Sequence, residues 1–264
     1  MPELSEGAQK QGALWGKLAR QWAHIQECIE HEVWAAMLDR IGLGVGSRLL
    51  DCGCGAGGAL MHAAERGAVI AGFDPSVNML TIARERMPNS DLRLGELESI
   101  PWPNGEFDRV ISANTLQFTQ NPQLAVHEMG RVCADGGKVA IAVWDDVRTC
   151  DLGRVYTAIV DLFPKPPRGR GVFALSAPGV LESLLESVPD IRLDNIETIE
   201  SHPEYPSLDE AVRGQMSAGA TQRAVELFGE ERVSTAVRDA LQPLVSESGP
   251  VVMRNQCRIA IATK

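Results

Sequence analysis

Apolar residues recur at three- and four-residue steps through the first forty positions: Trp15, Leu18, Trp22, Ile25, Ile29, Val33 and Met37. This spacing marks one face of a helix, and it predicts a helix to about Arg40 that Gly42 and Gly44 stop. Beyond it, short apolar runs alternate with amphipathic stretches. Strands are predicted at Arg48–Cys52, Ala68–Phe73, Asp91–Gly95, Asp108–Ala113 and Lys138–Val143. Helices are predicted at Ala59–Arg66, Ser76–Met87 and Gln123–Cys133, the last introduced by the cap-then-proline pair Asn121-Pro122. Such alternation builds a parallel sheet with helices on both faces.

The last third is patterned differently. Ile191–Ile199 and Val251–Ala262 alternate as strands, and about fifty residues between them read as helices at Leu208–Met216, Ala220–Phe228 and Glu231–Leu241. A connector of that length with its own secondary structure points to a functional cover. A second insertion, Asp146–Ala177, follows the fifth strand and carries a Pro-rich basic stretch with Lys165, Arg168 and Arg170. The expected organisation is an N-terminal helical cap at 1–44 and a core at 45–145. A C-terminal part at 146–264 completes the sheet and holds lids near 146–177 and 203–249.

A length of 264 residues suits one α/β unit with added segments, and 44% hydrophobic residues suffice for its core. The net charge of -10 argues against a nucleic-acid polymer as partner. No apolar run approaches the ~20 residues that span a bilayer, and no basic-then-apolar secretion signal opens the chain. A cytoplasmic protein without membrane insertion is expected, and a homodimer is left open. The six cysteines lack disulfide or zinc spacing and are expected to be reduced, buried small residues.

The densest chemical signal is Arg48 to Leu60, RLLDCGCGAGGAL. A strand ends in Asp51, breaks into glycines and re-enters a helix; a second strand ends in Phe73-Asp74-Pro75. Gly53, Gly55 and Gly58 satisfy G-x-G-x-x-G. Gly53 allows a tight turn, Gly55 lets a ligand approach the backbone, and Gly58 lets the helix pack on the sheet. Asp74 is spaced to accept from ribose hydroxyls. Dinucleotides place pyrophosphate against such a turn, where Asp51 would repel it. An acid there suits a cationic nucleoside, which favours S-adenosylmethionine over NAD.

These residues resemble the motifs of class I S-adenosylmethionine-dependent methyltransferases. Asp51-Cys52-Gly53-Cys54-Gly55-Ala56-Gly57 resembles the first, and Phe73-Asp74-Pro75-Ser76-Val77-Asn78-Met79-Leu80 the second. Leu94-Gly95-Glu96-Leu97-Glu98 is similar to the third, with Glu-Leu where Asp-Ala is common. Phe107 to Asn114 resembles the fourth-strand motif. Arg131-Val132-Cys133-Ala134-Asp135-Gly136-Gly137 is similar to the following turn, with Ala-Asp in place of Lys-Pro. The resemblance covers about 45–145 and is nearest to the ubiquinone-biosynthesis-type small-molecule methyltransferases. It implies a Rossmann-like, mostly parallel seven-stranded sheet whose last strand is antiparallel. It implies S-adenosyl-L-methionine as cofactor, held by Asp51, Gly53, Gly55, Asp74, Met79, Glu96, Leu97 and Asn114. Asp74 would hold the ribose, Met79 would flank the adenine, and Glu96 would face its amino group. The implied reaction moves a methyl group to O, N, S or C of a small molecule, a secondary metabolite or quinone-like compound.

Other residues carry two readings. Trp15 and Trp22 share a helical face and fit core packing or a pocket wall beside a sulfonium. Trp144 ends the fifth strand, where α/β sheets bind ligands, and Gln117 follows the fourth; both are candidate substrate contacts. His24 and His31, seven residues apart, present one face and fit either a base or a surface role, while His62 and His127 read as structural. Lys165, Arg168 and Arg170 fit a solvated loop or an anion site. No catalytic residue is assigned. The strand-four sequence lacks Asn-Pro-Pro-Tyr and a double-glutamate loop, which sets aside DNA-amino and protein-arginine methyltransferases. Asp145-Asp146 lacks acids at strand four to complete a metal site, so none is expected. The alternatives are a nicotinamide-dependent oxidoreductase, against which Asp51 speaks, and a non-catalytic S-adenosylmethionine-binding regulator.

Overall fold

The N-terminal apolar face folds as a series of short segments, not as the single helix its periodicity predicts. In the computed structural model, which describes residues 4–165 and 171–264, α1 (Glu6–Gly16) is followed by α2 (Ala19–Gln21), a π turn (Trp22–Gln26), a 3₁₀ turn (Glu27–Glu30) and α3 (His31–Arg40). Leu18 leaves the helical region at φ -122°, ψ 38° and separates α1 from α2. The glycines of α1 explain its position. A Cβ on Gly12 would lie 2.2 Å from the Pro75 carbonyl oxygen, and one on Gly16 would lie 2.7 Å from Ser76 Oγ, so only glycine lets α1 seat on the turn after the second strand. The π turn then winds wider than an α-helix, and the periodic face turns away from a straight continuation.

The core alternates as expected. It runs β1 (Arg48–Cys52), α4 (Gly58–Glu65), β2 (Val69–Asp74), α5 (Val77–Arg86), β3 (Asp91–Leu94), β4 (Phe107–Ala113), α6 (Pro122–Val132) and β5 (Cys133–Trp144). The fifth strand starts five residues before the predicted Lys138, because Cys133 already pairs with Phe107. Gly58 opens α4, and its missing Cβ makes room for the Trp34 ring of α3, 2.2 Å from where a Cβ would sit. Its smallness therefore admits the N-terminal segment, where sheet packing was expected.

After β5 come α7 (Leu152–Val160), α8 (Val180–Glu186), β6 (Arg192–Ser201), β7 (Glu204–Tyr205), α9 (Leu208–Met216), α10 (Gly219–Phe228), α11 (Glu230–Leu241), β8 (Val251–Val252) and β9 (Asn255–Thr263). The predicted strand Val251–Ala262 is thus two: β8 pairs with β7 in a small separate sheet, and β9 joins the main one. The seven-stranded order is β3-β2-β1-β4-β5-β9-β6, with β9 antiparallel to both neighbours. Strand alternation divides the core: Leu50, Phe73 and Val110 face α6 and α8, whereas Leu49, Ile111 and Ala142 face α3 and α4. A third apolar cluster joins α7, α9 and α11 around buried Tyr205. Among the described residues no helix is long and apolar enough to cross a membrane.

Candidate ligand-binding site

The turn after β1 is shaped by backbone demands. Gly53 (φ +85°) and Gly55 (φ +53°) adopt the left-handed region that favours glycine. The N–H groups of Gly53 and Cys54 both donate to the Phe73 carbonyl at 2.9 Å, folding the turn over the end of β2. A Cβ on Gly53 would strike Thr115 at 2.3 Å, whereas one on Gly55 would meet nothing within 4 Å. The open side of Gly55 faces a cavity of about 590 Å³ at the carboxyl ends of the strands, the ligand position of open α/β sheets.

Carboxylates dominate the inner wall. Asp74 accepts from the N–H of Gly55 at 3.0 Å and of Ser76 at 2.8 Å. Its carboxyl is nonetheless raised to about 6, because burial outweighs those two bonds. Asp51 is raised to about 8, first by burial and then by the charges of Asp74 and Glu30. No described residue hydrogen-bonds its carboxylate. Glu30, fully buried, is raised to about 7, again by burial first. Its two oxygens share one donor, Asn114 Nδ2, at 3.1 and 2.9 Å. Glu27 is different: Arg86 pairs with it at 2.7 Å and also donates to the carbonyls of Ala56 and Ala23. That arginine ties the π turn, the glycine turn and α5 together. Asn114 is the one non-glycine described residue at positive φ, +49°, a conformation asparagine tolerates better than most.

Two buried acceptors on this wall lack partners. Asn114 Oδ1 and Gln117 Oε1 find no hydrogen bond within the protein, and Gln117 is 1% exposed. The outer wall is aromatic and aliphatic. Trp15 and Trp22 meet edge to face at 4.8 Å, Phe118 adds an edge at 5.6 Å, and Val155, Tyr156 and Ile159 of α7 close the far end.

The structure brings every residue named above as a cofactor or substrate contact to this one cavity: Asp51, Gly53, Gly55, Asp74, Met79, Glu96, Leu97, Asn114, Trp15, Trp22, Gln117 and Trp144 all line it. His24 and His31 do not. Both are exposed, and His31 stacks outside the cavity against His62 and Trp34 at 5.3 and 5.4 Å. The irregular turns between them remove the shared helical face on which the base reading rested. Arg168 and Arg170 lie outside the described residues. Asp145 and Asp146 bind Thr198 and Arg148 respectively, and the described residues contain no metal-holding cluster. Glu27 and Glu30 carried no signal in the sequence, because two acids on an amphipathic helix read as a solvated face. Residues of α1, α7 and the start of α10 also line the cavity.

Residues 50–141 match the family model described as a methyltransferase domain. The chain is 30% identical over 121 residues to a demethylmenaquinone methyltransferase of Renibacterium salmoninarum, covering 46% of this chain and 51% of that protein. It is 31% identical over 134 residues to the methyltransferase GfsG of Streptomyces halstedii, covering 48% of each. The chain thus spans about half the length of the curated relatives it matches. In fold it resembles the Haemonchus contortus phosphoethanolamine N-methyltransferase 2 complexed with phosphomonomethylethanolamine and S-adenosylhomocysteine. The TM-score is 0.61 at 17% identity, over 100% of this chain and 61% of that one.

Proposed function

Starting from the fact that residues 50–141 are a class I S-adenosylmethionine-dependent methyltransferase domain, we propose that this chain transfers a methyl group to a small molecule enclosed beneath its helical cover. The observation that carries the reading is Asp51, a buried carboxylate open to the cavity and without a protein partner. A cation bound there favours its ionised form, whereas a dinucleotide phosphate would hold it protonated, so the site favours a cationic nucleoside.

The residues present fit that cofactor. Gly55 leaves its Cβ space open. Asp74 spends one bond per oxygen on backbone N–H groups, which leaves lone pairs for ribose hydroxyls. Met79 and Leu97, both buried, offer apolar walls for the base. When bound, S-adenosylmethionine supplies a methyl group on a positively charged sulfur. The chain's part is to align that group with the acceptor, which converts an encounter into a positioned displacement. Trp15 and Trp22 present aromatic surface toward the positive charge and keep water out. The acceptor enters from the apolar side, between α7 and α10, and a quinone-like compound or secondary metabolite suits those walls. The demethylmenaquinone relative supports that class.

Calorimetric titration with S-adenosylmethionine, S-adenosylhomocysteine and NADH tests the reading, followed by transfer of a radiolabelled methyl group to a broad small-molecule panel. Binding of the first two with transfer to a panel member is expected. Tight NADH binding without the others would overturn it, and binding without any transfer would favour a regulatory protein.

A further inference from the structure

Each acid around the cavity except two has an occupation inside the protein. Asp74 is tied to two backbone N–H groups, Glu27 to Arg86, Glu96 to Ser5, and Glu98 to the backbone N–H groups of Gln120 and Asn121. Asp51 and Glu30 remain. Neither has a lysine or arginine partner among the described residues, and the only donor to either is the side-chain amide of Asn114. Buried carboxyls without an internal cation hold their protons, and a positive group delivered from outside lets such a pair ionise.

A second observation points to the shape of that group. Asn114 gives its Nδ2 to both oxygens of Glu30 and so holds that carboxylate at the cavity wall. Asp51, 3% exposed, likewise directs an unpartnered carboxylate into the cavity. The set comprises two carboxylates whose one side-chain donor among the described residues is the Asn114 amide. A primary ammonium carries three N–H donors and one charge, and it matches this set. A carboxylate or phosphate does not.

We propose that Glu30, which lies outside the methyltransferase domain, is a binding residue for the ammonium of the donor's amino-acid end, acting with Asp51 and Asn114. This rests on the S-adenosylmethionine reading above and extends it to a segment that no motif covers. Glu30 sits on the 3₁₀ turn between the π turn and α3, whereas Asp51 and Asn114 end β1 and β4. The bound ammonium bridges the N-terminal cap to the sheet, so donor binding and cap docking are one event.

The test compares two ligands in the same sample. S-Adenosylhomocysteine keeps the amino-acid end; 5′-methylthioadenosine carries the same nucleoside and sulfur without it. Calorimetric affinities for both are measured at pH 8 on the full chain and on Glu30→Gln, which preserves side-chain shape. Loss of a charge-assisted bond is expected to weaken S-adenosylhomocysteine on the order of tenfold and to leave 5′-methylthioadenosine unchanged. The ratio of two affinities in one sample does not depend on the folded fraction. An unchanged ratio overturns the role of Glu30. If the unaltered chain binds neither ligand, the methyltransferase reading falls and this proposal with it, a result distinct from an unchanged ratio.

Discussion

Ser5 donates its hydroxyl to Glu96 Oε2 at 2.5 Å, and its backbone N–H reaches both oxygens of that carboxylate at 3.3 Å. The pair joins the residue that caps α1 to the segment after β3, across the edge of the cavity. The same Ser5 oxygen accepts from the N–H of Ala8 and so caps α1. One hydroxyl therefore both starts the covering helix and latches it.

Replacing Ser5 by alanine should remove cap and latch together. A lost N-cap costs about 1 kcal/mol, and if that falls on docking of α1 it weakens S-adenosylhomocysteine up to about fivefold. Hydrogen exchange should quicken in 6–12 while β1 and β4 keep their protection. Unaltered exchange in α1 would count against the latch.

Gly12 should tolerate no side chain. In a free helix, alanine would be better than glycine by up to ~1 kcal/mol, but here its Cβ meets the backbone oxygen of Pro75 at 2.2 Å, and backbone yields poorly. We expect Gly12→Ala to cost ~1–3 kcal/mol of α1 docking. Limited proteolysis within 6–16 should then be faster and ligand affinity lower. A variant with slower cleavage would show that α1 does not seat on the β2–α5 turn.

Stability should fall as pH rises. Asp74, Glu30 and Asp51 titrate in the folded chain near 6, 7 and 8, against about 4 when unfolded. Between those limits the folded state binds more protons than the unfolded one, so unfolding free energy declines with pH. The decline runs from about pH 4 to about pH 8, through each folded value in turn, and levels off above. A cationic ligand opposes it. Melting temperatures from pH 5 to 9 should drop for the free chain, and the increment from S-adenosylmethionine should widen. Asp51→Asn should flatten the profile of the free chain. A melting temperature that rises between pH 6 and 8 would contradict the assignment.

Tryptophan emission should report occupancy. Trp15, Trp22, Trp34 and Trp144 line the cavity, and Trp102 does not; Trp102 instead packs between Phe73 and Phe107. Titration with S-adenosylhomocysteine should change the emission of the full chain. Trp102→Phe should retain nearly all of that change, whereas Trp22→Phe should reduce it. Equal loss in both variants would place the ligand elsewhere.

Much of the core was legible because its information is local. Asp51, Gly53 and Gly55 read as a ligand turn from their order alone, since a strand end, a left-handed glycine and an open backbone are properties of neighbouring residues. Asp74 was legible for the same reason, through the strand that precedes it. The cap was not. Trp15 to Met37 keep helical spacing, yet a π and a 3₁₀ turn intervene, and nothing in a periodic pattern separates a regular helix from a rewound one. The consequence was a pair of glutamates unnoticed and found buried, while His24 and His31 keep the surface reading of the two they carried.

The chain by itself determined the parallel sheet, the glycine turn and the chemical bias of two strand-end acids, because alternation, turn conformation and charge are set by residues close in sequence. Only the tertiary structure decided what those acids face. Burial raised their protonation equilibria, and the seating of Gly12 and Gly16 on the β2–α5 turn placed the irregular segment over the strand ends. That placement carried Glu30 to Asn114, 84 residues away in the chain. Desolvation and long-range packing are properties of the assembled fold, and no local pattern of residues encodes them.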